Sequence, residues 1–170
     1  CLVAYWKLEE AASTTRSDSV ANNDLTDYNA VTQIFGVVGS AAHFDKVNQQ
    51  YLSTASSADL RMGEVDLTIA TWVYFDSLSA FSSERSILAK ESTLTDREYR
   101  LWLDVYNKFS FLVFGSDGNL VGSVESNTAV AITTRYFVVA WHDVTNNTVY
   151  LSVNNETPVS ATTTGTPASN

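Results

Sequence analysis

Arg100, Trp102, Asp104 and Tyr106 stand two residues apart in and just after the run Tyr99-Arg-Leu-Trp-Leu-Asp-Val105. Side chains alternate along an extended chain, so these four share one face, while Tyr99, Leu101, Leu103 and Val105 share the other. A face of this kind suits sugar recognition. An indole stacks on the apolar side of a pyranose, and charged groups beside it hydrogen-bond hydroxyls in pairs. The competing reading packs Trp102 under a neighbouring loop and leaves Arg100 and Asp104 as a surface ion pair that contributes little. The other tryptophans, Trp6, Trp72 and Trp141, lie in apolar runs and are assigned to the core.

Other chemistries find little support. His43 and His142 are the only histidines, and no His or Cys cluster has zinc-ligand spacing. No Ser-His-Asp or Gly-x-Ser-x-Gly arrangement and no phosphate loop is present. The net charge of −9 and pI near 4.5 argue against nucleic acid and against an anionic membrane surface, both of which need clustered Lys and Arg. No apolar run approaches the length of a membrane span, so no membrane insertion is expected. Cys1 is the single cysteine, which excludes an intrachain disulfide. The chain has neither an initiator Met nor a signal peptide and reads as a processed or excised piece. Cys1 is then either an accident of where the segment starts or the lipidated first residue of a bacterial lipoprotein. Asn146-Asn-Thr and Asn155-Glu-Thr are N-glycosylation sequons, which matter only in a eukaryotic source.

The elements that must position these residues are strands. No segment shows a 3.6-residue apolar period, whereas alternation of period two recurs. Strands are expected at 2–9, 41–47, 50–53, 67–75, 85–91, 98–106, 108–115, 119–125, 134–144, 148–154 and 156–161. The centre of 67–75, Ile69-Ala-Thr-Trp-Val73, is apolar on both sides of the pleat, which predicts a central strand covered on both faces with Trp72 buried. Asp117-Gly118 predicts a type I′ hairpin turn. Asn107, Asn146-Asn147 and Asn154-Asn155 mark further turns. Ser57–Gly63 has room for one helical turn, and Arg16–Asp24 reads as a polar loop. Hydrophobic content of 45% over 170 residues supplies one core, so a single domain is expected over 1–161, with 162–170 a polar tail or linker. Many strands joined by short turns describe an all-β fold, a jelly-roll sandwich of two antiparallel sheets.

Five stretches in order carry a family resemblance: Leu2-Val-Ala-Tyr-Trp-Lys-Leu-Glu9, Ala41-Ala-His-Phe-Asp45, Asp66–Phe75, Arg135–Val144 and Asn147–Asn155. Together they resemble the laminin-G-like jelly-roll domains of the concanavalin A-like lectin/glucanase superfamily, over nearly the whole chain. The resemblance implies a glycan-binding or adhesion module. It also implies a structural Ca²⁺ held by oxygen ligands, with Asp18 the position for it and Asn22 or Asp24 beside it. The alternative for this loop is an Asp/Asn-rich turn with no ion. The laminarinase-like hydrolases of the superfamily place carboxylates on one strand as Glu-x-Asp-x-Glu or Glu-x-Asp-x-x-Glu. This chain has Glu64-Val-Asp66, but Thr68 or Ile69 stands where the third carboxylate belongs, so no enzyme is expected. Relatives also end in a strand that pairs beside the first one, and none is found after Ala161. An open edge at Leu2–Glu9 would invite a strand-adding protein partner or a second copy.

The expected function is therefore a non-catalytic recognition or adhesion module for a glycan or glycoprotein. Its expected location is extracellular, on a cell surface or on a virion surface. The alternative is a structural assembly component of a virion, tail fibre, capsid decoration or extracellular filament. A glycan hydrolase is the poorest of the three readings.

Overall fold

The computed structural model describes residues 2–61, 63, 65–78, 85–93 and 95–169. Cys1 and Glu64, and with them the lipidation question and half of the carboxylate motif, lie outside the described residues. The chain divides into two compact units, one through Leu60 and one from Arg61 onward.

The first unit is loop-rich and built round buried polar groups. Strand β1 (Thr26–Tyr28) pairs antiparallel with β4 (Tyr51–Ser53), and the rings of Tyr28 and Tyr51, opposite each other in the ladder, stack 4.5 Å apart. Strands β2 (Thr32–Phe35) and β3 (Ser40–His43) form a hairpin closed by a Gly36 N–H to Gly39 C=O bond of 3.0 Å. Gly39 holds φ +60°, a left-handed conformation that favours glycine, and a Cβ there would also displace the Glu9 carboxylate. Arg16 is fully buried. Its guanidinium pairs with Asp27 at 3.2 Å and donates to the carbonyls of Ala11 and Val31, both at 2.8 Å. Asp27 in turn accepts the N–H groups of Ser13 and Val31. A buried ion pair is tolerated when further hydrogen bonds offset its desolvation. Here they reach both terminal nitrogens of Arg16 and both carboxylate oxygens of Asp27, though the Arg16 Nε is buried with no partner among the described residues. A single 3₁₀ turn, Ala58–Leu60, ends the unit where one helical turn is expected.

Leu2–Glu9 does not form the expected strand. Its only ladder contact among the described residues is the Trp6–Asp18 bridge, and Leu8 takes φ +61°, which breaks an extended run. The segment is instead pinned sideways. The Tyr5 N–H donates to Asp18, the Ser19 N–H to the Tyr5 carbonyl, and the Trp6 indole N–H to the Asn23 carbonyl at 2.7 Å.

The second unit is a sandwich of two antiparallel four-stranded sheets. One sheet has the order β12 (Val159–Thr162), β11 (Thr148–Val153), β10 (Arg135–Asp143), β5 (Leu67–Tyr74). The other runs β6 (Arg85–Thr93), β7 (Asp96–Leu103), β8 (Phe109–Phe114), β9 (Leu120–Glu125). The chain leaves the first sheet after β5, builds the second as a meander, and returns for β10 to β12. Alternation dictates the core. Ile69, Val138, Ala140, Val149 and Leu151 from one sheet meet Leu101, Leu103, Phe109, Phe111, Val113 and Val124 from the other, all buried. Tyr99 is buried with them, and that burial, with the Glu98 charge beside it, pushes its phenol up to about 12.

Three expectations are corrected here. β5 is an edge strand rather than a central one, because its only ladder partner among the described residues is β10; Trp72 is 52% exposed. The segment after β12 is not a free tail. Thr163, Pro167 and Ala168 are buried, the Thr164 N–H donates to Val121 and the Ala168 N–H to Phe114, both at 2.7 Å. At Asp117-Gly118 only Gly118 takes positive φ, so the turn is not type I′. Asn154 and Asn155 supply the pair of positive φ values instead.

Candidate functional site

The four residues of the proposed sugar face do not form a platform. The Asp104 side chain is buried and accepts the N–H groups of Tyr106 and Lys108, each at 2.8 Å, so it shapes the β7–β8 turn. Trp102 is half-buried, and its indole N–H is covered without a hydrogen-bond partner among the described residues. The Arg100 guanidinium lies 4.9 Å from the centre of the Trp102 ring and 3.6 Å from Glu91, so the stacking surface of the indole is already occupied. Tyr106 is exposed alone at the turn tip.

The Asp18 loop is held from within. Asp18 Oδ1 accepts the N–H groups of Tyr5 and Val20, and Oδ2 accepts the backbone and side-chain N–H groups of Asn23, at 2.9 to 3.3 Å. Four donors use the four lone-pair sites of a carboxylate. Burial alone would raise this carboxyl, but the donors outweigh it and hold it at about 2. Asp24 accepts the Asp18 N–H at 2.7 Å, and Asn22 is exposed. Asp66 is likewise committed, accepting the Val144 N–H at 3.0 Å. His142 is buried at the end of the sandwich core, and His43 is half-buried on β3, 3.3 Å from the Thr32 hydroxyl. Among the described residues, no three His, Cys, Asp or Glu side chains group closely enough to hold a metal.

The aromatic surface lies elsewhere, on the outer face of the sheet β12-β11-β10-β5. Strand alternation that buries Ile69, Val138, Ala140, Val149 and Leu151 turns Ala70, Trp72, Tyr74, Phe137, Val139, Trp141 and Tyr150 outward. The register then lines these up in rows. Trp72 and Phe137 are ladder partners with ring centres 5.1 Å apart. Trp141 and Tyr150 are ladder partners stacked at 4.8 Å and 6°. Between the rows sit Ala70, Val139 and Ser152, ladder neighbours with smaller side chains. Beyond the first row the Arg135 guanidinium lies 5.9 Å from the Tyr74 ring centre. Phe137 and Trp141 stand four positions apart on β10, a spacing of about 14 Å.

Sequence reasoning assigned Trp72 and Trp141 to the core because their neighbours are apolar. The signal for the face was nevertheless present. Thr68, Ala70, Trp72 and Tyr74 share one parity, and Phe137, Val139 and Trp141 share one parity on the next strand.

No family model matches the chain, and no curated protein matches it. In fold it is similar to the crystal structure of an S-layer domain-containing protein, residues 221–444, from Clostridium thermocellum ATCC 27405. The two superpose with a TM-score of 0.57 over 94% of this chain and 72% of that one, at 20% identity. The likeness supports the all-β sandwich. Among the described residues, no helix is long and apolar enough to cross a membrane.

Proposed function

We propose that the chain is a non-catalytic recognition module of a cell-surface or extracellular protein, and that its ligand is a glycan lying on the outer face of β12-β11-β10-β5. The observation that carries this is the pairing of aromatic side chains in register, Trp72 with Phe137 and Trp141 with Tyr150, on a face whose first row carries the half-exposed Trp72. Rings fixed by cross-strand packing offer flat apolar area at little entropic cost, which is what the apolar side of a pyranose requires. Two rows about 14 Å apart along one strand favour an elongated ligand over an enclosed small molecule. The net charge of −9 favours a neutral glycan over an acidic one. A surface location is supported by the S-layer protein of similar fold and by the laminin-G-like pattern of the sequence.

The module binds without turning its ligand over. Asp66, the described half of the hydrolase-like motif, is spent on the Val144 amide, and the third carboxylate position holds Thr68 or Ile69. Screening the chain against a panel of neutral polysaccharides tests both points. Retention of at least one polysaccharide without release of reducing sugar is expected. Sugar release that disappears in Glu64→Gln would replace this reading with a hydrolase.

A further inference from the structure

A sheet edge offers unpaired backbone donors and acceptors to any passing strand, and proteins protect such edges by shortness, charge, bulges or cover. The sandwich has four edges, and three are protected. β12 is four residues long. β6 carries Arg85, Lys90 and Glu91 and has register shifts at Ser86/Leu88, Lys90/Glu91 and Glu91/Thr93. β9 is covered by the C-terminal segment, whose Thr164 donates to the Val121 carbonyl through its N–H and its hydroxyl, and a register shift sits beside it at Val113/Phe114. Among the described residues, β5 has none of these devices. It runs eight residues without Pro, Gly or charge, in unbroken register with β10 on one side, and no described residue pairs with its other side.

We infer that the β5 edge is an interface that takes the β5 strand of a second copy, antiparallel about a twofold axis, to make one continuous eight-stranded sheet. The sequence of β5 fits itself in one register. Antiparallel pairs must share a face, so the axis passes through a residue, and Thr71 or Ala70, at the middle of Leu67–Tyr74, gives the greatest overlap. An axis at Thr71 sets Asp66 against Asp76, a like-charge pair that destabilises a ladder. An axis at Ala70 avoids this. It sets Thr68 against Trp72 and Ala70 against Ala70 on the outer face, and Leu67 against Val73 and Ile69 against Thr71 on the inner one. Each outer position then opposes a large side chain to a small one or two small ones to each other. Such a contact uses the same patch on both copies and closes as a dimer. It also joins the two outer faces, so that Trp72 and Phe137 of both copies lie on one surface. The pairing itself does not depend on what that face binds.

Sedimentation velocity of the whole chain across a dilution series tests the proposal, together with two variants at exposed Ala70. The wild type is expected to dimerise with concentration. Ala70→Lys and Ala70→Glu, which oppose like charges at the axis, are each expected to stay monomeric with unchanged circular dichroism, and an equimolar mixture is expected to regain the dimer. Amide exchange on the unmodified chain gives a second readout, with slowing along Leu67–Tyr74 as concentration rises. A wild type that is monomeric throughout, a dimer indifferent to both variants, a mixture that stays monomeric, or exchange in β5 independent of concentration would overturn the proposal. No glycan enters the measurement, so its failure is separate from failure of the recognition reading.

Discussion

Asp18 and Trp72 show what single side chains do in this protein, and both invite measurement. Asp18 satisfies four N–H groups from Tyr5, Val20 and Asn23. Asp18→Ala strands those donors, and a cost of about 1–3 kcal/mol is expected in urea unfolding followed by tryptophan fluorescence. Because the folded carboxyl sits at about 2, below the ordinary 3.8, its stabilisation is present in full about a unit above 3.8 and is lost as pH falls through 2. An acid titration of unfolding should therefore lose slope in that window in Asp18→Asn. Trp72, half exposed on an edge strand, should behave unlike a core tryptophan. Trp72→Ala is expected to cost less than the ~3–5 kcal/mol typical of buried aromatics, whereas Phe111→Ala, fully buried between the sheets, should reach that range. Equal losses in thermal melts of the two variants would place β5 wrongly.

At the scale of elements, much of the second unit was legible because period-two alternation is strong there. The strands from 67–75 to 156–161 all appear, with ends shifted by no more than a few residues. Strand order was not legible. The double-sided apolar run Ile69–Val73 suggested a covered central strand, but an apolar outer face on an edge strand produces the same pattern. Leu2–Glu9 has the composition of a strand and lost to local chemistry, since Asp18 captures the Tyr5 amide and Leu8 turns the chain. β1 and β2 went unread because three- and four-residue strands leave almost no periodic signal. At Arg100–Tyr106 the parity was right, but sequence alone could not reveal that Arg100 covers Trp102 or that Asp104 turns into the hairpin. Asn155 bears on the same scale. Its φ of +62° closes the turn after β11, so Asn155→Ala should lower the melting temperature more than Asn146→Ala, whose site has ordinary φ.

For the molecule as a whole, the all-β sandwich was legible in the sequence and the division at Leu60 was not, since no Pro- or Gly-rich linker marks it. Function turns on which surface meets the ligand, and two tryptophans on opposite sheets separate the possibilities. Calorimetric titration of a polysaccharide retained by the wild-type chain into Trp141→Ala and Trp102→Ala tests this directly. Trp141→Ala removes one half of the stacked Trp141–Tyr150 row, and Trp102→Ala alters the other sheet. A loss of binding in Trp141→Ala, with wild-type affinity in Trp102→Ala and both variants folded, is the predicted result. Binding that survives Trp141→Ala and fails in Trp102→Ala, or a wild-type chain that retains no glycan, would contradict the account.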